Sequence, residues 1–360
     1  MTRSPVCSSL SSATSSGAES HPPTPDDARP NGESAGPSPE APIVIVTAGD
    51  DGFAMPMAVT LSSALTHLPP EQAVQIIALD SGMSADHQRR IASVVRRAHD
   101  RATLDWHHPD VSSIDQIDLQ DMDPRFNASM FYRFLIPDVL PKTCNRVLYL
   151  DSDVVVERNL RPMWRTPFDG NAILAVPERI VSCPEAGVAE WERLGLDPDA
   201  RYFNSGIMLI NLAAWRADSI HGQAIKYLLD PSNHFSYPGD QEALNAVLAG
   251  RWGALDLRWN VTHLLYDEGE KPKMEAMLGR DLDPVAQDPF LLHYTSDRKP
   301  WESYCDHPME DRFHHYLRRS GWFSSLGYPS WRVGLAGRRG LHHLKTVTRP
   351  IRHRIGLRRR

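Results

Sequence analysis

With 360 residues, 41% of them apolar and 8% aromatic, the chain can supply the core of one large domain or two modest ones, and it reads as a globular protein with appendages. Its net charge of −6 hides an uneven distribution: Asp311 is the last acid, 312–360 holds thirteen Arg or Lys, and −6 minus 13 leaves the rest near −19, so the tail suits an anionic partner. Cys7, Cys144, Cys183 and Cys305 form no C-x-x-C pair, and no run reaches the ~18 apolar residues of a spanning helix, which argues against a disulfide scaffold, a structural zinc site or a membrane span.

Residues 1–41 are rich in Ser, Pro, Gly, Ala and Thr and are expected to be disordered, because they bury too little surface to offset ordering entropy. They also lack an apolar signal region, so a cytoplasmic protein is expected. Order begins at Ile43-Val44-Ile45-Val46, a β-branched run that reads as a buried strand and ends in the loop Thr47 to Gly52. Ala54 to His67 has helical composition, Val74 to Leu79 reads as a strand, and Ser84 caps a helix through Ala98 with Ile91, Val94 and Val95 on one stripe. Leu104 to Trp106 adds a short strand, a loop runs to Phe126, and Ala128 to Ile136 is predicted as a helix stopped by Pro137.

The run Arg146 to Val156 is predicted as one central strand, with Asp151 and Asp153 placed where the apolar pattern pauses. Ile173 to Val176 and Ile207 to Ile210 read as strands, Asp240 to Leu248 as a helix that Asp240 could cap, and Phe290 to Tyr294 as a last strand. Arg179 to Ala200 has the irregular composition of a mobile loop. Alternation of this kind argues an α/β domain with a largely parallel sheet covered by helices.

Side chains two apart on an extended segment point the same way, so Asp151 and Asp153 can converge while Ser152 faces away. A hard divalent cation is the natural counterion for such a pair at the carboxyl end of a strand. His293 ends another apolar strand, and an imidazole beside two carboxylates shifts preference towards manganese. Each group also has a plainer interpretation: strand-end polar residues for the acids, a satisfied structural imidazole for His293, surface charges for Lys299 and Arg133, and a simple turn for Asp50 to Phe53.

Together these residues resemble the retaining glycosyltransferases of family eight, over about residues 42–305. The resemblance rests on Ala48-Gly49-Asp50-Asp51-Gly52-Phe53, Tyr132-Arg133, Leu148 to Asp153, Tyr202-Phe203-Asn204-Ser205-Gly206, Asp240-Gln241-Glu242, and His293 followed by Lys299-Pro300-Trp301. It implies a GT-A fold, a single Rossmann-like nucleotide-binding domain at 42–308, followed by a basic tail at 309–360. It implies that Asp151, Asp153 and His293 ligate Mn²⁺, with Mg²⁺ as the alternative. Ala48, Asp50, Gly52, Phe53, Arg133, Asp151, Ser152, Asp153, Asn204 and Lys299 would bind a UDP-hexose donor, and Glu178 would stand near a glycan or lipid-linked saccharide acceptor. Gln241 or Asp240 would serve at the anomeric carbon if a double displacement operates, whereas a front-face displacement needs no protein nucleophile. The chain departs from the family at Ser296 and Asp297, where relatives usually have Gly and Pro, and at Glu242, where they have Asp.

Leu341, Leu344, Val347, Ile351 and Ile355 recur near helical spacing among basic residues, which suggests peripheral contact with anionic lipid at the inner face of the plasma membrane; nucleic acid is not expected. Two other classes fit less well. A phosphatase of the haloacid dehalogenase type carries D-x-D early in its domain and before Gly-Thr, whereas Val154-Val155-Val156 follows here. A catalytically impaired sugar-nucleotide-binding protein would be distinguished by binding donors without releasing UDP. The patterns Asn127-Ala-Ser129 and Asn260-Val-Thr262 match glycan acceptors by chance.

Overall fold

The β-branched run at 43–46 opens β1 (Ile43–Gly49), which is buried along its whole length, as a strand covered on both faces must be. The computed structural model describes residues 41–117, 128–178, 183–233, 239–302 and 305–337. The expected disorder of 1–40, part of the loop before Phe126, residues 179–182 and the tail pattern at 341–355 lie outside them.

After β1 come α1 (Ala54–Thr66), β2 (Val74–Asp80), α2 (Ala85–Ala98) and β3 (Ala102–His107). The three strands pair in parallel, with Ile43 opposite Val74 and Val74 opposite Ala102. Ser84 caps α2, and Ile91, Val94 and Val95 are its buried stripe. The helix expected over 128–136 is present as a 3₁₀ helix, Ala128–Leu135. Pro137 does not end it but sits in the first turn of α3 (Ile136–Val139), where a missing N–H costs nothing.

The expected single strand from 146 to 156 is broken in two. β4 (Arg146–Leu150) stays in the main sheet, a turn takes up 151–153, and β5 (Val154–Val156) leaves for a small second sheet. Helix α1 makes the break affordable. Thr60 Oγ1 donates to the Val154 carbonyl at 2.7 Å and lies 3.0 Å from that of Ser152, and Ser63 Oγ accepts from Val156 N at 2.9 Å. Backbone groups that would be orphaned at the turn are therefore paired.

The remaining elements are α4 (Arg161–Arg165), β6 (Ile173–Pro177), α5 (Pro184–Gly187), β7 (Phe203–Asn211), α6 (Leu212–Ala217), α7 (Ile220–Leu229), α8 (Gly239–Leu248), β8 (Trp252–Ala254), α9 (Lys271–Leu278), α10 (Asp283–Gln287), β9 (Leu291–His293) and α11 (Glu310–Ser320). The main sheet has the order β3-β2-β1-β4-β7-β6-β8. It is mostly parallel; β7 alone runs antiparallel to its neighbours β4 and β6. An apolar run carries no direction, so the sequence could not have shown this. β9 pairs antiparallel with β5, setting His293 opposite Val154.

The segment from 309 onward does not begin as a tail. Phe313, Tyr316 and Leu317 of α11 are buried, as is Trp322, and residues 327–337 are helical. Spacing of 313, 316 and 317 is that of a helix stripe, which the basic count obscured. Arg312 holds the buried Glu157 carboxylate through Nε at 2.7 Å, and Tyr316 donates to the same group at 3.3 Å. Cys144 and Cys305 form no disulfide among the described residues.

Candidate active site

The break after β4 places Asp151 and Asp153 on a turn, and the β5–β9 ladder carries His293 to them. Its Nε2 lies 3.3 Å from Asp153 Oδ1 and 3.8 Å from Asp151 Oδ2. One ligand atom from each of the three lies within 4.8 Å of the others. Adjacent oxygens around an octahedral ion with bonds of about 2.1 Å are about 3 Å apart, so the donor set suits a small hard cation after slight adjustment. Gly206 leaves the room: a Cβ there would stand 2.5 Å from Asp151 Oδ2 and would collide with His293 Cε1. The residues present therefore fit a divalent metal.

Positive charge converges on the same pair. Arg133 Nη2 reaches Asp151 at 2.9 Å, its Nη1 reaches Asp240 at 3.0 Å, and Tyr149 donates to Asp151 Oδ1 at 2.9 Å. Lys299 Nζ lies 2.8 Å from Asp153 Oδ2 and 2.5 Å from the Tyr294 carbonyl. Burial pushes the Asp151 carboxyl up against the pull of Arg133. Burial also opposes charge on Asp153, but Lys299 and His293 outweigh it and hold that carboxyl well below the usual carboxylate range. Asp240 is pushed up by burial, with Arg133 opposing.

Asp240 is not the helix cap expected of it. α8 begins at Gly239, and the Asp240 carboxylate is buried, accepting from Ser205 Oγ at 3.2 Å. Gln241 Oε1 accepts from Ser205 N at 3.0 Å, while its Nε2 faces Glu178 at 3.4 Å. Glu178, just past β6, also accepts from Asn204 Nδ2 at 2.7 Å. Arg133, Asn204, Asp240, Gln241 and Glu178 thus form one buried network behind the acid turn. Glu242 points away from it and accepts from Tyr227 and Ala189 N.

The first-strand loop adjoins this cluster. Ala48 is buried, and a Cβ on Gly49 would stand 3.6 Å from Ser152 Oγ. Asp50 accepts from Gly52 N (2.9 Å) and Phe53 N (3.3 Å), shaping the turn itself. The Phe53 ring meets Trp301 edge-on at 6.0 Å, tying this loop to the one bearing Lys299. Ser296 Oγ accepts from Arg298 N at 3.2 Å, so a side-chain turn shapes the loop that leads to Lys299.

Sequence reasoning missed Asn260. It is buried rather than an exposed glycan acceptor, and its Oδ1 lies 3.1 Å from His293 Nδ1. It also left Tyr149 and Thr60 without roles; only their position beside the acid turn gives them one. A second acidic group, Glu275, Asp281 and Asp283, lies at the surface with Lys271 bound between Glu275 and Asp283.

The family model described as glycosyl transferase family 8 matches residues 44–305. General stress protein A of Bacillus subtilis (strain 168) is 26% identical over 295 residues, covering 79% of this chain and 96% of that protein. The lipopolysaccharide glucosyltransferase WaaO of Escherichia coli (strain K12) is 29% identical over 204 residues, so the match spans 54% of this chain and only about half, 55%, of that enzyme. Among solved structures, the galactosyltransferase LgtC in complex with donor and acceptor sugar analogs superposes with a TM-score of 0.62 at 24% identity, covering 81% of this chain and 99% of that one. That likeness establishes the GT-A fold.

Proposed function

Since the chain belongs to glycosyl transferase family 8, we propose that it moves glucose or galactose from a UDP-sugar to a glycan or lipid-linked acceptor, with retention at the anomeric carbon. The observation that carries this reading is the convergence of Asp151, Asp153 and His293 within 4.8 Å at the end of a central strand. These three would hold Mn²⁺ or Mg²⁺. When bound, the metal acts as a Lewis acid, stabilising by several kcal/mol the charge that grows on the diphosphate as the glycosidic bond breaks.

The protein's own groups complete the task. Lys299, already beside Asp153, adds a cation at the same rim and is the group proposed to meet the diphosphate. Asp50, Gly52 and Phe53 would seat uridine, with the Phe53 ring braced by Trp301. Arg133 holds Asp151 and Asp240 in one orientation, and its two ion pairs favour the charged carboxylates where burial pushes both groups up. Asp240, Gln241 and Asn204 would face the sugar, and Glu178, joined to Asn204, would lie towards the acceptor.

The test is donor hydrolysis. Incubation with UDP-glucose and UDP-galactose plus Mn²⁺ should release UDP, and EDTA should abolish the release. Donor binding without UDP release from either sugar would instead identify a sugar-nucleotide-binding protein. A peripheral contact of the basic C-terminal residues with anionic lipid on the cytoplasmic side belongs to the same proposal, as suits a lipid-linked acceptor. No helix among the described residues is long and apolar enough to cross a membrane.

A further inference from the structure

We infer that Asn260 is a positioning residue that fixes which nitrogen of His293 faces the two aspartates, and that it does so through a directed chain of hydrogen bonds starting at a backbone amide. The inference rests on the metal reading of Asp151, Asp153 and His293.

The chain begins at Gly206. Its backbone N–H can only donate, and it donates to Asn204 Oδ1 at 3.0 Å. The identity of that oxygen is therefore set, and the Asn204 amide turns its Nδ2 to Glu178 Oε2 at 2.7 Å. Asn204 Oδ1 faces Asn260 at 2.8 Å and accepts there, so the atom Asn260 presents must be Nδ2. The other end of the Asn260 amide is then Oδ1, an acceptor, and it lies 3.1 Å from His293 Nδ1. Nδ1 must carry a proton to make that bond. With Nδ1 committed to Asn260, Nε2 is the nitrogen left to face the acid turn, 3.3 Å from Asp153 and 3.8 Å from Asp151, where its lone pair would meet a bound cation.

Backbone geometry holds the pair in register. Val261 N donates to the Leu291 carbonyl at 2.9 Å, and His293 N donates to the Val261 carbonyl at 2.9 Å, so the residue after Asn260 is clamped on both sides of Leu292. Asn260 and His293 are both buried, at 2% and 3% exposure, so water cannot readily substitute for the amide. Without an acceptor at Nδ1 the imidazole would be free to adopt the other tautomer, whose Nε2–H cannot ligate. The same amide also holds the ring plane that aims Nε2 at the turn.

Two measurements test this, one of them independent of any metal. In metal-free protein at pH 8, the ¹⁵N signals of His293, assigned by their loss in His293→Gln, should show a protonated Nδ1; an unprotonated Nδ1 overturns the inference. The second measurement is Mn²⁺ titration of Asn260→Leu, which keeps the volume and removes the acceptor. Asn260→Leu should weaken Mn²⁺ binding about 10- to 100-fold. Wild-type affinity in Asn260→Leu would overturn it. Should the leucine variant not fold, the ¹⁵N measurement on wild type still decides. If wild type binds no Mn²⁺, the metal reading fails, and the state of Nδ1 alone judges the hydrogen-bond chain.

Discussion

Replacing Gly206 by alanine should dismantle the proposed metal centre while leaving the fold in place. A Cβ there would stand 2.5 Å from Asp151 Oδ2, against the 3.4 Å at which ordinary contact begins, so Asp151 must retreat by 3.4 − 2.5 = 0.9 Å, and His293 Cε1 must also move. Metal–ligand bonds of about 2.1 Å do not survive displacements of that size. With two of three protein ligands displaced, Mn²⁺ affinity should fall at least about 100-fold, equivalent to about 2.7 kcal/mol. Overpacking should cost the fold about 1–3 kcal/mol, because the bond from Asp151 N to the Gly206 carbonyl, 2.8 Å, needs no side chain. Isothermal titration with Mn²⁺, paired with a thermal melt by circular dichroism, separates the two effects. A Gly206→Ala protein with wild-type Mn²⁺ affinity and UDP release would refute the assignment of this cradle.

Other expectations concern stability and the surface. Burial lowers the His307 imidazole to about 4 from an ordinary 6.5. A group depressed in this way binds more protons unfolded than folded between those values, so the folded state should lose stability as pH falls from 6.5 towards 4, by up to roughly 3 kcal/mol. His307→Gln should flatten that part of a melting-temperature profile, and an unchanged slope would show that another group is responsible. Arg312→Ala strips the buried Glu157 of its cation and should destabilise by about 2–3 kcal/mol in urea unfolding, loosening α11 from the end of β5; a loss below about 0.5 kcal/mol would mean that apolar packing alone holds α11. Ending the chain after Gly340 removes seven of the thirteen Lys or Arg of 312–360 and should abolish co-sedimentation with phosphatidylserine vesicles without lowering the melting temperature. Undiminished sedimentation would remove the lipid contact.

The parts of this protein that a sequence can disclose are those written in local pattern. Ile43 to Val46, Val74 to Leu79 and the stripe Ile91, Val94 and Val95 name their elements because periodicity and caps are local properties. Asp151, Asp153 and His293 could be singled out because each interrupts or ends an apolar run. The break between Leu150 and Val154 was invisible, since valines continue the run and the groups that stabilise the turn belong to Thr60 and Ser63, some ninety positions earlier. The opposite direction of β7 was invisible for a similar reason: pairing partners, not composition, set it. Asn260 was passed over as a chance glycan acceptor because its meaning depends on His293, thirty-three positions later. The start of α11 was hidden by its arginines, although Phe313, Tyr316 and Leu317 kept helical spacing within them.

The central claim is that one divalent ion unites Asp151, Asp153 and His293 beneath a nucleotide diphosphate. Anomalous diffraction at the manganese edge, from a crystal soaked in Mn²⁺ and UDP, measures this directly. A single peak about 2 Å from a carboxylate oxygen of each aspartate and from His293 Nε2, with the diphosphate completing its shell, is the expected result. A peak elsewhere, or UDP bound with no ion between these three side chains, would contradict the account.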